Sequence, residues 1–182
     1  LDPKTSLFIF NQDIPPSNSE IKEAKRRGIK ILSYPKALGE LTRNYKTLAI
    51  AGAHGKSTTT ALVSLILIKA GFDPTVIVGT LLKEFGGKNF RFGKSKPARN
   101  ASRSDAGGWF IFEADEFHAS FLNYSPAYAL ITNIDREHLD YYKNFQNVKK
   151  SFLKFIGRIK NGGVLVANKD NEDLFGLRKR IE

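Results

Sequence analysis

Cysteine and methionine are both missing from the 182 residues. Without a thiol the chain forms neither disulfides nor thiolate metal sites, so any metal it holds must be taken by oxygen or imidazole donors. Long apolar runs are missing too. The longest, residues 61–68, is interrupted by Ser64 and followed at once by Lys69, far short of the roughly 20 residues of a membrane span. A transmembrane helix is therefore not expected, nor is a membrane partner. The opening Leu1-Asp2-Pro3-Lys4 has neither an initiator Met nor a basic segment leading into an apolar one, so no secretory signal is visible and a cytoplasmic setting is the expectation. The last residues, Arg178, Lys179, Arg180 and Glu182, read as a helix in progress, so both ends are taken as arbitrary and the chain as a fragment. Acidic residues are scarce, 18 against 29 basic, giving a formal charge of +11. That balance favours anionic partners without separating nucleotides from nucleic acid or acidic lipid.

With 41% hydrophobic residues, the chain can fill one ordinary core or parts of two. The apolar run Leu7-Phe8-Ile9-Phe10, a turn at Ile14-Pro15-Pro16, a helix from about Ser19 to the stop signal Gly28, and a strand over residues 29–32 make an α/β element that extends to about residue 43. Pro35 opens a short helix. A second unit, residues 44–182, begins with the buried-strand pattern Thr47-Leu48-Ala49-Ile50-Ala51 and a helix over residues 58–69 ended by Gly71. Further short apolar strands are expected at residues 75–78, 109–112, 127–131 and 164–166. A helix over residues 145–159 carries Val148, Phe152, Phe155, Ile156 and Ile159 on one face. Short apolar strands separated by helices predict an α/β fold with a mainly parallel sheet covered on both faces. Residues 83–107, rich in Gly, Lys, Arg and Ser, are the best candidate for a mobile loop. Lys83, Lys88, Arg91, Lys94, Lys96, Arg99 and Arg103 there read as an ordinary solvated basic stretch.

Three polar clusters each follow a predicted strand. Gly52-Ala53-His54-Gly55-Lys56-Ser57 lies between a strand and a helix. Glycines let backbone amides approach phosphate oxygens, the helix N-terminus adds about half a positive charge, Lys56 suits the β- and γ-phosphates, and Ser57 suits Mg²⁺. Ile50 stands where the standard loop has another glycine. Glu113-Ala114-Asp115-Glu116 follows the next strand; at a strand's carboxyl end such carboxylates face the ligand crevice of an open α/β sheet, with Glu113 the natural metal candidate. Taken alone, the cluster also reads as an acidic first helical turn. Thr132-Asn133-Ile134-Asp135-Arg136-Glu137-His138-Leu139-Asp140 follows a third strand, with His138 able to ligate a metal and Asp135, Glu137 or Asp140 able to orient it. A lone loop histidine is usually an ordinary surface residue, so the convergence of the three clusters carries the argument.

These residues resemble the Mur ligase family. Residues 52–60 are similar to its phosphate loop in the form with His before Gly-Lys, Glu113 to Glu116 with Ser120-Phe121-Leu122 to its glutamate motif, and residues 132–140 to its Asn, His, Leu, Asp motif. Ile14-Pro15 with Asn18 and Glu20 resembles the end of the family's UDP-sugar-binding N-terminal domain. Asn89, Arg91, Gly93, Tyr141-Tyr142 and residues 163–170 resemble its alanine-adding branch. The resemblance implies residues 1–43 as the end of a Rossmann-like domain and residues 44–182 as part of a P-loop-type ATP-binding domain. It implies ATP and Mg²⁺ as cofactors, with UDP-N-acetylmuramate and L-alanine as substrates. Their union goes through an acyl phosphate, in cell-wall peptidoglycan synthesis. Nucleotide contacts are implied at Gly52, Ala53, His54, Gly55, Lys56, Ser57, Thr58 and Asn133. Metal contacts are implied at Ser57, Glu113 and His138, and Lys56, Glu113 and His138 carry the catalytic roles. The sequence departs from the family at Ala53, where a hydroxyl residue is usual, at Phe117-His118, where a polar pair is usual, and at Glu137. Residues 94–107 read as an insertion. Leu153 stands where some relatives have a carbamylated lysine. A ligase branch that recycles a preformed tripeptide, a noncatalytic nucleotide- or nucleic-acid-binding module, and an inactive fragment are the other readings; nucleic acid is not the expected partner, and oligomeric state is not legible.

Overall fold

The computed structural model describes residues 1–94 and 108–177. They form two compact units, divided between Leu41 and Thr42. In the first, β1 (Leu7–Phe10) and β2 (Lys30–Ser33) pair in parallel, joined by α1 (Ser19–Arg26). Asn18 caps α1, its side chain accepting from Glu20 N at 2.9 Å and Ile21 N at 3.3 Å. These bonds satisfy two amides that have no partner within the helix. Ile21 and Ala24 turn inward from α1 and are buried. The helix α2 (Tyr34–Thr42) carries the chain out of this unit.

The second unit is built on a six-stranded sheet in the order β5-β4-β6-β3-β7-β8. β3 (Lys46–Ala51), β4 (Thr75–Leu82), β6 (Trp109–Glu113), β7 (Tyr128–Ile131) and β8 (Val164–Ala167) are parallel, and β5 (Lys88–Arg91) is antiparallel to β4. The central strands read as unbroken apolar runs because both faces are covered: Ala49, Ile50, Ala51, Phe110, Ile111 and Phe112 are all buried. Between β3 and β4, α3 (Lys56–Lys69) packs on β3, β4 and β6. The fully buried Thr60 and Ser64 are small residues within α3 that suit such close packing. Between β7 and β8 run α4 (Leu139–Tyr142) and α5 (Phe145–Ile156), followed after β8 by α6 (Glu172–Phe175). α5 docks on a 3₁₀ segment, Phe117–Asn123, through Phe121, whose ring stacks on Phe155 at 4.8 Å and meets Phe152 edge-on at 5.2 Å. The result is a mixed, mostly parallel sheet flanked by helices. No described helix is long and apolar enough to cross a membrane.

Residues 83–94 correct the expectation of a mobile loop. A 3₁₀ turn (Lys83–Phe85) leads into β5, which pairs Phe90 with Ile77 and Arg91 with Val76. Asp73 anchors the returning strand: its carboxylate accepts from the Arg91 guanidinium and from the Lys94 amide. Arg91 Nη1 also donates to Pro74 O at 2.7 Å, and Gly93 N donates to Thr75 Oγ1 at 3.1 Å. Of the basic residues that suggested a solvated loop, Lys88 and Arg91 sit instead on an edge strand, where lysine and arginine are ordinary. Residues 95–107, with Lys96, Arg99, Arg103 and most of the insertion, and residues 178–182 lie outside the described residues. α3 starts at Lys56, two residues before its expected start, and α4 is a helix that hydrophobic periodicity did not suggest.

Candidate active site

The parallel register brings the three polar clusters to one end of the sheet. Ile50 sits opposite Glu113, and Ala51 sits opposite Ile131, so the segments after β3, β6 and β7 leave side by side. Beyond β3 the chain turns through Gly52 and reaches Gly55 at φ 79°, a left-handed conformation that favours glycine and sets the first turn of α3. Thr59 N donates to Gly55 O at 2.9 Å, so the amides of residues 55–58 lie ahead of the helical ladder. They are the groups that a helix N-terminus offers to an anion.

The loop is braced from outside by the segment after β7. Ala53 N donates to Asn133 O at 3.2 Å and His54 N to Asn133 Oδ1 at 2.9 Å. His54 O accepts from Asn133 Nδ2 at 3.0 Å and from Thr132 Oγ1 at 2.7 Å. Both ends of the Asn133 amide therefore hold loop backbone, and the Ala53 and His54 amides point to this brace. The His54 ring reaches Asp135 at 3.2 Å. The Arg136 amide first, and His54 next, hold the Asp135 carboxyl below its ordinary 3.8. Beside the brace lies a cleft of about 450 Å³ lined by His54, Gly55, Thr59, Thr132, Asn133 and Asn168 among others.

Lys56 turns back across the loop. Its ammonium donates to Gly52 O at 2.7 Å and to both carboxylate oxygens of Glu116, at 2.9 and 3.1 Å. Glu116 is 2% exposed. Burial pushes its carboxyl above the ordinary 4.5 even though Lys56 draws it down. His138 Nε2 lies 3.6 Å from Glu116 Oε1, and ligand atoms of Asp115, Glu116 and His138 all fall within 4.8 Å of one another. His138 has φ 56°, unusual for a residue with a side chain, and caps α4. Behind the cluster, the buried Tyr142 donates its hydroxyl to Glu116 O. Burial raises the phenol to about 12, so it remains a donor throughout the neutral range.

Ser57 and Glu113 form a separate pair, with Ser57 Oγ donating to Glu113 Oε2 at 3.0 Å. The other carboxylate oxygen accepts from Gly79 N. A methyl group on Gly79 would lie 2.9 Å from Glu113 Oε2 and 3.0 Å from Ser57 Oγ, so only glycine allows this approach. Of the residues expected to contact metal, Ser57 and Glu113 come together, and His138 joins Asp115 and Glu116. Thr58 contributes to the amide turn. From sequence Asp115 and Glu116 read only as members of the acidic cluster, Tyr142 only as a mark of the alanine-adding branch, and Gly79 carries no role. Glu116 lay within a recognised motif and Gly79 ended an apolar run, but their partners are distant in the chain. Two carboxylates with one imidazole, beside a hydroxyl–carboxylate pair, make an oxygen-rich donor set that fits a hard divalent cation.

Comparison with known proteins identifies the family. The model of the Mur ligase middle domain matches residues 50–181. The UDP-N-acetylmuramate–L-alanine ligase of Borreliella burgdorferi is 40% identical over 182 residues, covering 100% of this chain and 36% of that protein. The enzyme of the same name from Aquifex aeolicus is 40% identical over 174 residues, 96% of this chain and 36% of that one. Among solved structures, the UDP-N-acetylmuramate-alanine ligase of Thermotoga maritima superposes with a TM-score of 0.77 at 26% identity, covering 94% of this chain and 37% of that chain. A UDP-N-acetylmuramate:L-alanyl-gamma-D-glutamyl-meso-diaminopimelate ligase from Neisseria meningitides shares the fold, with a TM-score of 0.80 at 22% identity over 96% of this chain and 55% of that chain. The chain spans about a third of the length of the curated relatives it matches. With residues 52–60, 113–116 and 132–140 all inside the matched region, the chain belongs to the Mur ligase family.

Proposed function

We propose that this chain provides the phosphate- and metal-handling part of an ATP-dependent ligase that joins L-alanine to UDP-N-acetylmuramate in the cytoplasm, for peptidoglycan synthesis. The observation that carries this reading is the junction of Lys56 with Glu116 and His138 beside the N-terminus of α3. The likeness to alanine-adding relatives over the whole chain supports the choice of substrates. In this reading residues 44–182 are part of a P-loop-type domain, and residues 1–43 end a Rossmann-like domain that holds the sugar nucleotide.

The amides of residues 55–58 cradle the β- and γ-phosphates of ATP, and Lys56 neutralises charge on the phosphoryl group as the sugar's carboxylate attacks it and ADP leaves with the bridging oxygen. The amine of L-alanine then attacks the resulting acyl phosphate, forming the amide and releasing phosphate. Asn133 holds the loop in shape, and the cleft beside it accommodates the nucleoside. Asp115, Glu116 and His138 would hold one Mg²⁺, and Ser57 with Glu113 another. A cation held there would supply charge neutralisation for the phosphoryl group. His138, carried on a different segment from the carboxylates, orients their shared cluster. The remaining protein work is to bring the reacting groups together and exclude water.

The test is phosphate release by the complete gene product with Mg²⁺, ATP and UDP-N-acetylmuramate, comparing L-alanine, the tripeptide and no amino acid. Release that requires both the sugar nucleotide and L-alanine is the expected result. Release with the tripeptide alone assigns a recycling role, and none with either overturns the ligase reading.

A further inference from the structure

Tyr142 touches the main chain of both residues that meet at the proposed metal cluster. Its amide donates to His138 O at 2.9 Å, and its hydroxyl donates to Glu116 O. It is itself held in place. Asn147 Nδ2 donates to Tyr142 O at 2.8 Å, and Ser151 Oγ on α5 lies 3.4 Å from the phenol oxygen. The ring is 6% exposed and meets Tyr141 edge-on at 4.9 Å. Glu116 and His138 belong to segments that follow different strands, so their side-chain separation of 3.6 Å is not fixed by either segment alone. The residue links the two backbones: its main-chain amide makes the i to i−4 bond of α4 to His138 O, and the hydroxyl at the far end of its buried ring donates to Glu116 O.

We propose that Tyr142 is a positioning residue that sets the spacing between Glu116 and His138, and so the metal affinity of the cluster they form. The proposal rests on the metal reading of Asp115, Glu116 and His138. Tyr142 touches neither metal nor substrate in this account; it acts through the carbonyl of Glu116. Removing the hydroxyl leaves the Glu116 carbonyl with the Ala119 amide, at 2.9 Å, as its remaining donor and cuts the link from α4 to this segment. Partners that orient ligating residues are typically worth about 10- to 100-fold in metal affinity.

The experiment compares the wild-type complete gene product with Tyr142→Phe and Ser151→Ala. Mn²⁺ is the probe, its free concentration read by electron paramagnetic resonance in the presence of a non-hydrolysable ATP analogue. Melting temperatures are recorded alongside. Tyr142→Phe is expected to weaken Mn²⁺ binding by about 10- to 100-fold, while Ser151→Ala, which alters the other side of the same phenol, leaves it unchanged. Equal Mn²⁺ affinity in wild type and Tyr142→Phe overturns the proposal. An equal loss in Ser151→Ala also overturns it, since general loosening then accounts for the effect. Absence of Mn²⁺ binding in the wild type overturns the metal reading itself, and the proposal with it. Should Tyr142→Phe not fold, fluorotyrosine at position 142 retains ring and hydroxyl; its ¹⁹F resonance is expected to shift when Mg²⁺ is added with the analogue, and an unmoved resonance counts against the strut.

Discussion

A carboxylate that is 2% exposed, like that of Glu116, needs a partner to stay charged, and Lys56 is placed to be that partner. Breaking a buried pair on one side costs about 3–5 kcal/mol when the survivor stays ionised. Glu116 has an escape, because burial already lifts its pKa above 4.5. A carboxyl with a raised folded pKa stabilises the fold most when protonated, below its unfolded value, and loses that contribution as pH rises through the folded value. Lys56→Ala removes a group that lowers the Glu116 pKa and so raises it further. The melting-temperature gap between wild type and Lys56→Ala should therefore be small near pH 4.5 and widen toward neutrality; a constant gap would show that the pair is not coupled. In the proposed ligase the same substitution should reduce turnover on the order of 10²-fold or more, read as phosphate release. At Gly79 the expectation is different. The methyl of Gly79→Ala would press on Glu113 and Ser57 at their polar ends, so the Mg²⁺ concentration for half-maximal phosphate release should rise with little loss of melting temperature. An unchanged Mg²⁺ requirement would remove the Ser57–Glu113 pair from metal binding.

At the scale of elements, the β4–β5 hairpin hangs on Asp73. The Lys94 amide, then the Arg91 guanidinium, hold the Asp73 carboxyl below its ordinary 3.8. A depressed folded pKa gives stability that is present above the unfolded value and lost as pH falls through the folded one. Asp73→Asn should lower the melting temperature at neutral pH, and the difference from wild type should shrink as pH drops below 3.8. The hairpin was also the element least legible in the sequence. Its stabilising partners are 17 to 21 residues apart, and its basic composition looks like that of a solvated loop. By contrast α1 is legible through the stop signal at Gly28, and α5 through the one-sided apolar face of Val148, Phe152, Phe155 and Ile156. The central strands are legible through unbroken apolar runs. The start of α3 was misjudged because Gly55 brings Lys56 and Ser57 into the helix, whereas the motif alone suggests a longer loop. The site divides in the same way. Each polar cluster is contiguous and can be read directly, but Lys56 and Glu116 are 60 residues apart, and which acid meets which base depends on strand register.

Over the whole molecule the two units differ in self-sufficiency. Residues 1–41 hold one strand pair and the buried apolar residues Ile21, Ala24 and Leu38, with Leu7 and Ile9 of β1 respectively 43% and 48% exposed. A two-stranded sheet with so little core is not stable alone. Expressed separately, residues 1–41 should give the collapsed proton chemical-shift dispersion of an unfolded peptide, while residues 42–182 should melt cooperatively; the reverse outcome would contradict the division of the core. The charge of +11 attracts anions of every kind to this surface, but attraction is not admission. Lys56 is already committed to Glu116, so a bare anion that captures the ammonium strands a carboxylate. A triphosphate that arrives with its own divalent cation hands Glu116 a replacement at the same moment, as in a salt metathesis. In the proposed ligase the pairing at this loop would thus act as a sorting rule, discriminating chelated from unchelated nucleotide by the exchange of counterions before any chemistry begins.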